Sequence, residues 1–555
     1  MLNRKFYLIA FLLSATVGFA NWGCGDNSGA ANSERIAPLL EGMGDRNHAI
    51  TTDNELAQRY FNQGMALSYG FNHKEAERSF REVARLDPNT AMAWWGVALV
   101  LGPNINAAME DAEVPNAYAA IQKALELAPK ASEKEQAYIQ ALSKRYIAEP
   151  VEDRKHLDEA YAAAMKELAK RYPDDSDATA LAAESLMDLH PWDFWEIDGS
   201  PKPWTPEIIE VLERALARWP DHPGLNHFYI HTVEASKNPG RATVAADRLG
   251  DLVPGAGHLV HMPGHIYIRT GRYIDAVIAN EKAIKADGDY VTQCHAQGLY
   301  PVAYMPHNHH FLSASATMAG NSEKAIYAAR YMAEHQDHDL MRQPGYGTLQ
   351  QFASIPLYSL TKFGRWEELL KESAPAKDLL YPTGIWHFAR GMALTRTDRL
   401  AEAQTELAKV KEIAADTSLY HVTIWDLNTT YALMQIAREI LAGEIAAKKK
   451  DFSAAIQHLR SAVAMEDKLA YDEPPVWYSP ARHNLGAILL EAGKPKEAEN
   501  VYLKDLEKYP ENGWSLRGLQ QSMEAQGKSK QAQSVKVRFE KAWAHADVVL
   551  PGSRF

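Results

Sequence analysis

The chain has 555 residues, of which 46% are hydrophobic and 23% charged, so it can bury one or more cores and is not a disordered chain. Its 59 Lys and Arg residues against 71 Asp and Glu residues give a net charge of −12, which argues against nucleic acid or an anionic membrane surface as the main partner. Two cysteines exclude a disulfide scaffold and a cysteine-based zinc module, whereas ten of the 21 histidines fall between His222 and His310.

The first residues are typical of an export signal. Two basic residues precede an apolar run over residues 6–20, which is too short to span a bilayer comfortably but fits the core of a signal peptide. The Gly-Cys pair that follows resembles a bacterial lipoprotein processing site, with lipidation at Cys24. Cleavage after Ala20 and a retained membrane anchor are the alternatives. We expect a signal peptide over residues 1–23, a flexible tether over residues 24–50, and a periplasmic lipoprotein anchored to the membrane.

Beyond the tether, helical periodicity dominates and strand signals are nearly absent. Gly64, Ala76, Phe80 and Pro88 are spaced 12, 4 and 8 residues apart. This spacing resembles the tetratricopeptide repeat (TPR), a 34-residue helix-turn-helix unit in which small residues let helices A and B approach closely and Pro ends helix B. The pattern recurs along the chain, most clearly at Gly486, Gly493, Ala498, Tyr502 and Pro510.

The resemblance implies an all-α fold, a TPR-like helical-repeat superhelix of about ten to twelve units, several of them degenerate, whose helices A line a concave face. We expect an N-terminal array over residues 51–286 that includes the first His-rich repeats, central repeats over 287–375 with an insert at 288–305, and a C-terminal array over 376–555. An irregular helical bundle without repeats is the competing expectation.

Pro254 and Gly288 are taken as the ends of two consecutive 34-residue units, and the clustered histidines recur at equivalent positions of such units. His227 and His231 fall at positions 5 and 9 of one unit, and His261 and His265 at positions 5 and 9 of the next. Other chemistry-bearing residues fall at positions 2, 5, 9, 12 or 13, namely His258, His307, His310, Glu184, Asp188 and Glu234. Because spacings of three and four place side chains on one helix face, each His-x3-His pair can hold a metal ion from a single helix.

The sequence therefore predicts a transition-metal site. Its expected ligands are His227, His231, His258, His261 and His265, with Glu184, Glu234, His307 and His310 as further candidates. The carboxylates can be ligands themselves or accept from the ring N–H groups of the histidines. Imidazole ligation without thiolate suits copper, zinc or iron, and carboxylate ligands favour iron or zinc. A peptide-binding groove of histidines and aromatics, a pH sensor, and a coincidence of surface and packing residues are the alternatives.

An aromatic insert over residues 189–206 follows the predicted acidic positions. It is expected either to cover the histidines as a lid or aromatic wall, or to pack against the next helix. Pro263 falls inside a predicted helix A, where it would bend the helix unless the helix starts late. The residues expected to contact a substrate or support the ligands are Asp188, His190, Trp192, Trp195, Tyr304, His309, Glu473, Trp477 and Arg482.

Three segments, at 261–267, 306–311 and 472–475, resemble a family of exported bacterial TPR proteins. This resemblance adds fold and family but no chemistry. The sequence has no Gly-rich phosphate loop or nucleophile elbow, and Cys294 adjoins His295 only within an insert.

We therefore expect an exported TPR metalloprotein, a metal-dependent oxidoreductase or hydrolase of a small molecule if it is an enzyme. The alternatives are a non-catalytic scaffold that binds a peptide or partner protein in the groove, and a protein for metal storage or delivery. The expected partners are a small molecule or a peptide, with no nucleic acid and with membrane contact only through the lipid anchor.

Overall fold

The structure, a computed structural model, describes residues 35–293 and 300–555. Within these ranges the chain is mainly helical, and its two paired strands, β1 (Thr423–Ile424) and β2 (Asn428–Thr429), form a short antiparallel hairpin. The expected all-α fold is confirmed. The predicted signal peptide, Cys24, Cys294 and His295 lie outside the described residues. No helix in the described ranges is both long and apolar enough to cross a membrane.

The chain divides into two compact units, which are described separately. The first unit takes in the chain up to Lys237 together with Val244–Met262 and Lys285–Pro301, and the second takes in Asn238–Thr243, Pro263–Ile284 and Val302–Phe555. These limits differ from the ranges expected from the sequence, since consecutive segments of the chain between residues 238 and 301 belong alternately to the second and the first unit.

Helices of the first unit pair in the order in which they follow along the chain. They are α1 (Glu55–Tyr69), α2 (His73–Leu86), α3 (Ala91–Leu101), α4 (Val114–Leu127), α5 (Glu133–Leu142), α6 (Lys155–Arg171), α7 (Ser176–Asp188), α8 (Thr205–Arg218), α9 (Pro223–Val233), α10 (Thr243–Leu252) and α11 (Gly257–His261). From α1 to α9 each helix contacts the next, and α1 also contacts α9. The array of the first unit therefore closes on itself, which brings distant parts of the sequence together.

Tight packing at small residues sets the spacing of the first helices. Phe80 on α2 is fully buried, and a Cβ atom added at Gly64 on α1 or at Gly96 on α3 would lie 2.5 Å from its ring. Since real Cβ atoms do not approach so closely, the ring requires glycine on both neighbouring helices. This is the packing that the repeat spacing predicts.

Residues 35–50 are packed in the first unit, which corrects the expectation that this part of the chain is a flexible tether. Ala37, Leu40 and Ile50 are buried, the hydroxyl of Tyr60 donates to the carbonyl of Ala37 at 2.9 Å, and the Leu40 N–H donates to the side chain of Gln63 at 2.7 Å. This stretch is therefore a packed part of the first unit, because its apolar residues cover α1 and its backbone groups are satisfied by side chains of that helix.

Two helices follow the first His-rich segment. The chain turns at Met262, between α11 and α12 (Pro263–Arg269), so Pro263 begins a helix instead of bending one. α13 (Tyr273–Gln293) then runs through Gly288, which was expected to end a repeat. The expected central insert at 288–305 is thus partly helical in its described residues, with a short π-helical turn at Tyr300–Tyr304.

Helices of the second unit follow the same pairwise order. They are α14 (Met305–Ala319), α15 (Ser322–Glu334), α16 (Gly347–Lys362), α17 (Trp366–Leu369), α18 (Leu380–Arg396), α19 (Leu400–Ala414), α20 (Thr430–Lys448), α21 (Phe452–Glu466), α22 (Ala481–Glu491), α23 (Pro495–Lys508), α24 (Gly513–Ala525) and α25 (Ser529–Ala542). This array also closes on itself, since α24 contacts α14 and the Trp514 indole N–H donates to the carbonyl of Thr317 at 2.9 Å.

Candidate metal centre

Three histidines converge in the interior of the first unit. His227 and His231 lie on α9, and His258 lies in the first turn of α11. Each offers a ring nitrogen, and these three nitrogens lie within 4.8 Å of one another. The Nε2 atoms of His227 and His258 are 3.2 Å apart, and the three side chains are at most 3% exposed.

Two of the rings are oriented by oxygen acceptors. The Nδ1 atom of His227 lies 2.6 Å from the carbonyl oxygen of Tyr69, the last residue of α1. The Nδ1 atom of His231 lies 2.9 Å from a carboxylate oxygen of Glu234. Because these oxygens can only accept, each Nδ1 carries the hydrogen, and in a neutral ring Nε2 then has the lone pair. Metal-binding histidines in proteins are oriented by the same kind of contact.

The third ring is positioned through its backbone. The His258 N–H donates to the hydroxyl of Tyr300 at 3.0 Å, and this hydroxyl donates to Asp287 at 2.8 Å. A Cβ atom at Gly257 would lie 2.0 Å from the Asp287 carboxylate, so only glycine fits at the start of α11. The Asp287 carboxylate is thus linked to the backbone N–H of His258 through Tyr300, whereas the Glu234 carboxylate contacts the ring of His231 directly.

Two aromatic side chains surround the histidines. The Phe71 ring lies 4.7 Å from the ring of His227, 6.1 Å from that of His231 and 5.8 Å from that of His258. The Trp192 ring meets that of His231 edge-on at 5.2 Å. The three imidazoles therefore lie against apolar walls, where electrostatic interactions are stronger than in water.

The aromatic insert that contains Trp192 is held on both sides. Trp192 donates to Asn106 at 3.2 Å, Trp195 donates to the carbonyl of Thr232 on α9 at 2.7 Å, and the ring of His190 stacks on that of Trp204 at 3.7 Å. The insert thus contacts the ring of His231 through Trp192 and the backbone of α9 through Trp195.

Glu184 and Asp188 on α7 are not members of the three-histidine group. Arg145 pairs with Asp188 at 2.6 Å. Burial, followed by the nearby charge of Asp188, raises the pKa of Glu184 to about 8. Burial raises the pKa of Asp188 to about 6 against the opposing effect of Arg145. These two carboxyls form an electrostatic cluster with Arg145.

Other candidate residues lie at the end of α11 or in the second unit. His261 closes α11, with its ring 5.9 Å from that of His258. In the second unit, the Nδ1 atom of His265 lies 3.1 Å from a carboxylate oxygen of Glu473. The ring of His307 lies 5.8 Å from that of His265. The Glu473 carboxylate therefore contacts Nδ1 of His265, as the Glu234 carboxylate contacts Nδ1 of His231.

Two histidines of α14 have surroundings of different kinds. His310 is buried against Phe352, at a ring distance of 5.4 Å, and burial lowers its pKa to about 3. The ring of His309 stacks on that of Tyr331 on α15 at 4.3 Å. His309 thus contacts the second helix of its own pair, and Tyr304, just before α14, is buried.

Trp477 and Arg482 have structural partners within the second unit. Trp477 is 2% exposed and packs against Tyr358 and Phe388 at ring distances of 5.5 and 5.8 Å. Arg482 forms a bidentate ion pair with Asp467 at 2.8 and 2.6 Å. These contacts hold both side chains within the second unit.

Four residues around the site carried no recognisable signal in the sequence. Tyr69, Phe71 and Asp177 are brought to the site by the closure of the first unit, and His222 is fully buried as the N-cap of α9. Phe71 and Trp192 also have positive φ angles of 55° and 56°. Nothing in the local sequence distinguishes Tyr69, Phe71 and Asp177, because the residues they contact at the site are far away along the chain.

The comparisons with known proteins agree with this architecture. Residues 57–90, which span α1 and α2, match the family model of the tetratricopeptide repeat. The first helical pair is therefore a TPR, and the helices that follow repeat its arrangement. No curated protein matches the sequence significantly.

Solved structures with some similarity are helical-repeat proteins. The human IFIT1 dimer with m7Gppp-AAAA is 11% identical, with a TM-score of 0.30 over 88% of this chain and 90% of that one. The APC/C hetero-tetramer Cut9-Hcn1 is 12% identical, with a TM-score of 0.25 over 88% of this chain and 94% of that one. Scores at this level carry no argument about ligands or partners.

Proposed function

We propose that this protein is a TPR-type metalloprotein that holds one transition-metal ion on His227, His231 and His258. The observation that carries the proposal is the convergence of three buried ring nitrogens within 4.8 Å of one another. Two nitrogens bound to one ion at about 2.0–2.1 Å in tetrahedral geometry lie roughly 3.3 Å apart. The Nε2 atoms of His227 and His258 are already 3.2 Å apart.

Copper, zinc and iron all accept imidazole ligands, and we propose the metal from among these three. Three histidine ligands with one further coordination position are characteristic of catalytic zinc sites, whereas structural zinc sites use four protein ligands. This chemistry supports metal-dependent oxidation or hydrolysis of a small molecule. The walls formed by Phe71 and Trp192 would limit the substrate to a small, partly apolar molecule.

The N-terminal pattern supports export to the periplasm and attachment to the membrane through a lipid on Cys24. Retention of the wild type in the membrane fraction, and its loss in Cys24→Ala, would test this. The TPR at residues 57–90 supports a second candidate, a scaffold that binds a peptide or partner protein, because such arrays present extended binding surfaces.

Elemental analysis of protein loaded separately with copper, zinc and iron tests the metal site. We expect one ion per chain in the wild type and a loss of affinity of at least about 100-fold in His231→Ala, because a ligand is removed. His483→Gln is the matched control, since His483 is also fully buried and hydrogen-bonded to an acidic residue, but in the second unit.

Two outcomes would contradict the proposal. A wild type that takes up no stoichiometric copper, zinc or iron has no metal site of this kind. Equal metal content in His231→Ala and His483→Gln would mean that the ion is held elsewhere. If the metal-free protein nevertheless binds a peptide ligand with a defined stoichiometry, the scaffold function is favoured.

A further inference from the structure

One buried carboxylate lies at the junction of the elements that carry and orient His227. Asp177, in the first turn of α7, is 6% exposed. Its Oδ1 atom lies 2.7 Å from the hydroxyl of Tyr69 and 3.1 Å from Nε2 of His222. Its Oδ2 atom lies 3.0 Å from Nδ1 of His48 and 3.2 Å from the guanidinium of Arg46. The carboxylate thus accepts from four donors.

The geometry points to Asp177 as a positioning residue for the three-histidine metal site, acting on His227 through Tyr69 and His222. This inference rests on the proposed metal-binding function. Asp177 itself is not among the grouped ligand atoms of the described residues. Its effect is exerted through the two residues that determine where His227 sits and which of its nitrogens carries the hydrogen.

The first connection runs through Tyr69. Its hydroxyl is held by Asp177, while its carbonyl oxygen accepts from Nδ1 of His227. A displacement of Tyr69 therefore moves the acceptor that selects the tautomer and orientation of the His227 ring. Metal sites depend on such support, since ligands must be held within about 0.5 Å of the productive geometry.

The second connection runs through His222. As the N-cap residue of α9, it accepts the N–H of Leu225 on Nδ1 at 3.3 Å. Nε2 must then carry the hydrogen that is donated to Asp177. Asp177 therefore fixes the start of α9, the helix that carries His227 and His231 in its next two turns. One carboxylate thus restrains both the ligand-bearing helix and the acceptor on α1.

The charge on Asp177 is maintained by the same contacts. Burial by itself would raise the pKa of Asp177, but the hydrogen bonds from His222 and His48 outweigh it and hold the pKa well below its usual value. His48 belongs to residues 35–50, so the packed N-terminal segment also contributes to the support of the site.

The test compares Asp177→Asn with Asp505→Asn. Asp505 is the matched control because it is also buried and accepts from a histidine, a serine and an asparagine, but lies in the second unit. We expect Asp177→Asn to weaken Zn²⁺ affinity about 10–100-fold, the usual effect of losing support behind a ligand, and Asp505→Asn to leave it within about twofold. Tyr69→Phe, which retains the carboxylate and the carbonyl, is expected to give a smaller loss and keeps the test valid if Asp177→Asn fails to fold.

A second readout does not depend on metal. In metal-free protein with ¹⁵N-labelled histidine, we expect the Nδ1–H signal of His227 in the wild type and in Asp505→Asn, and its loss or exchange broadening in Asp177→Asn. A wild type that binds no metal would overturn the proposed function alone, and this signal would still decide the role of Asp177. Wild-type affinity in Asp177→Asn and Tyr69→Phe, with the signal intact, would overturn the inference.

Discussion

Phe71 and Trp192 hold backbone conformations that residues other than glycine rarely adopt. Their φ angles are 55° and 56°, and a bulky residue in such a conformation costs about 1–3 kcal/mol. Both rings contact His231, at 6.1 and 5.2 Å between ring centroids. Strain of this kind persists only where the surroundings hold it, and it is concentrated at ligand sites. Two of the seven non-glycine residues with positive φ in the described ranges thus lie beside His231, and the other five belong to the second unit.

Glu184→Gln is expected to stabilise the protein at alkaline pH. Burial, followed by the charge of Asp188, raises the pKa of Glu184 from 4.5 to about 8. A carboxyl whose pKa is raised on folding binds more protons in the folded state, so stability is lost as the pH rises from about 4.5 to about 8. Glutamine does not titrate. The advantage of the variant over the wild type should grow by at least about 1.4 kcal/mol, one pKa unit, between pH 5 and pH 9.

Urea unfolding at these two pH values measures the difference. Glu402→Gln is the control, because Glu402 is an exposed carboxylate paired with Arg399. A stability difference between Glu184→Gln and the wild type that is the same at pH 5 and pH 9 would contradict the raised pKa.

Local periodicity could identify His227, His231 and His258 as candidates, because positions on one helix face depend only on spacing along that helix. It could not identify Tyr69 or Asp177. The contact from His227 to Tyr69 spans 158 residues, and that from His222 to Asp177 spans 45. Polar contacts of this length depend on how whole helices pack, which no single-sequence pattern contains.

A helical pair in each unit uses the same packing device. Phe80 lies between Gly64 and Gly96, and Tyr502 lies between Gly486 and Gly518, with each glycine sixteen residues from its aromatic. In the second set, an added Cβ atom at Gly486 or Gly518 would contact the Tyr502 ring closer than van der Waals distance allows. The aromatic of helix B therefore fixes the distance between successive helices A in both units.

Gly96→Ala and Gly288→Ala are expected to have opposite effects on stability. At Gly96 the new methyl group would overlap the ring of Phe80, so we expect a loss of about 1–3 kcal/mol from overpacking. At Gly288, inside α13, nothing lies within 4 Å of an added Cβ atom. Alanine there should add about 0.5–1 kcal/mol through helix propensity alone. Thermal and urea unfolding of both variants measure these changes, and a neutral Gly96→Ala would show that the Phe80 contact is loose.

The same glycine shows why element ends are hard to predict. Gly288 is the expected end of a unit because it lies 34 residues after Pro254. In the structure the residue is exposed within α13, and the helix continues past it. Likewise, the polar, small-residue composition of 24–50 predicted a tether, although Tyr60 and Gln63 bind the backbone of residues 37–40. Composition reports local preference, and at residues 37–40 packing against α1 overrides it.

At the scale of each unit, the repeat pattern predicted the pairing of helices but not their closure. α1 contacts α9 in the first unit, and α14 contacts α24 in the second. The curvature of a repeat array accumulates from a small rotation at each step, so degenerate repeats and inserts determine whether the ends meet. Closure of the first unit brings Tyr69 next to His227. The candidate site therefore depends on how the whole array curves and not on any single repeat.

Two sets of buried titrating groups change the stability of the protein in opposite directions as the pH falls. Burial lowers the pKa values of His73, His310 and His483 to about 4, 3 and 4, and it raises those of Glu184, Glu466 and Asp472 to about 8, 7 and 8. Between pH 6.5 and pH 5 the unfolded chain binds protons at the three histidines, which lowers stability as the pH falls. Over the same range the folded chain keeps protons on the three carboxyls, which raises it. The contributions of these six groups therefore nearly cancel across this range.

The double variant Glu184→Gln/Glu466→Gln should remove this balance. With two of the three opposing carboxyls gone, stability should fall by about 2–4 kcal/mol between pH 6.5 and pH 5, since each unbalanced proton contributes about 1.4 kcal/mol per pH unit. The reverse variant, His310→Gln/His483→Gln, should become more stable over the same range, because only His73 of the three histidines then opposes the carboxyls. Urea unfolding of the three proteins at pH 6.5, 5.7 and 5 measures the slopes. Parallel curves would mean that these groups titrate alike in the folded and unfolded chain, whereas opposite slopes would show that burial of both kinds of group shapes the stability of the molecule.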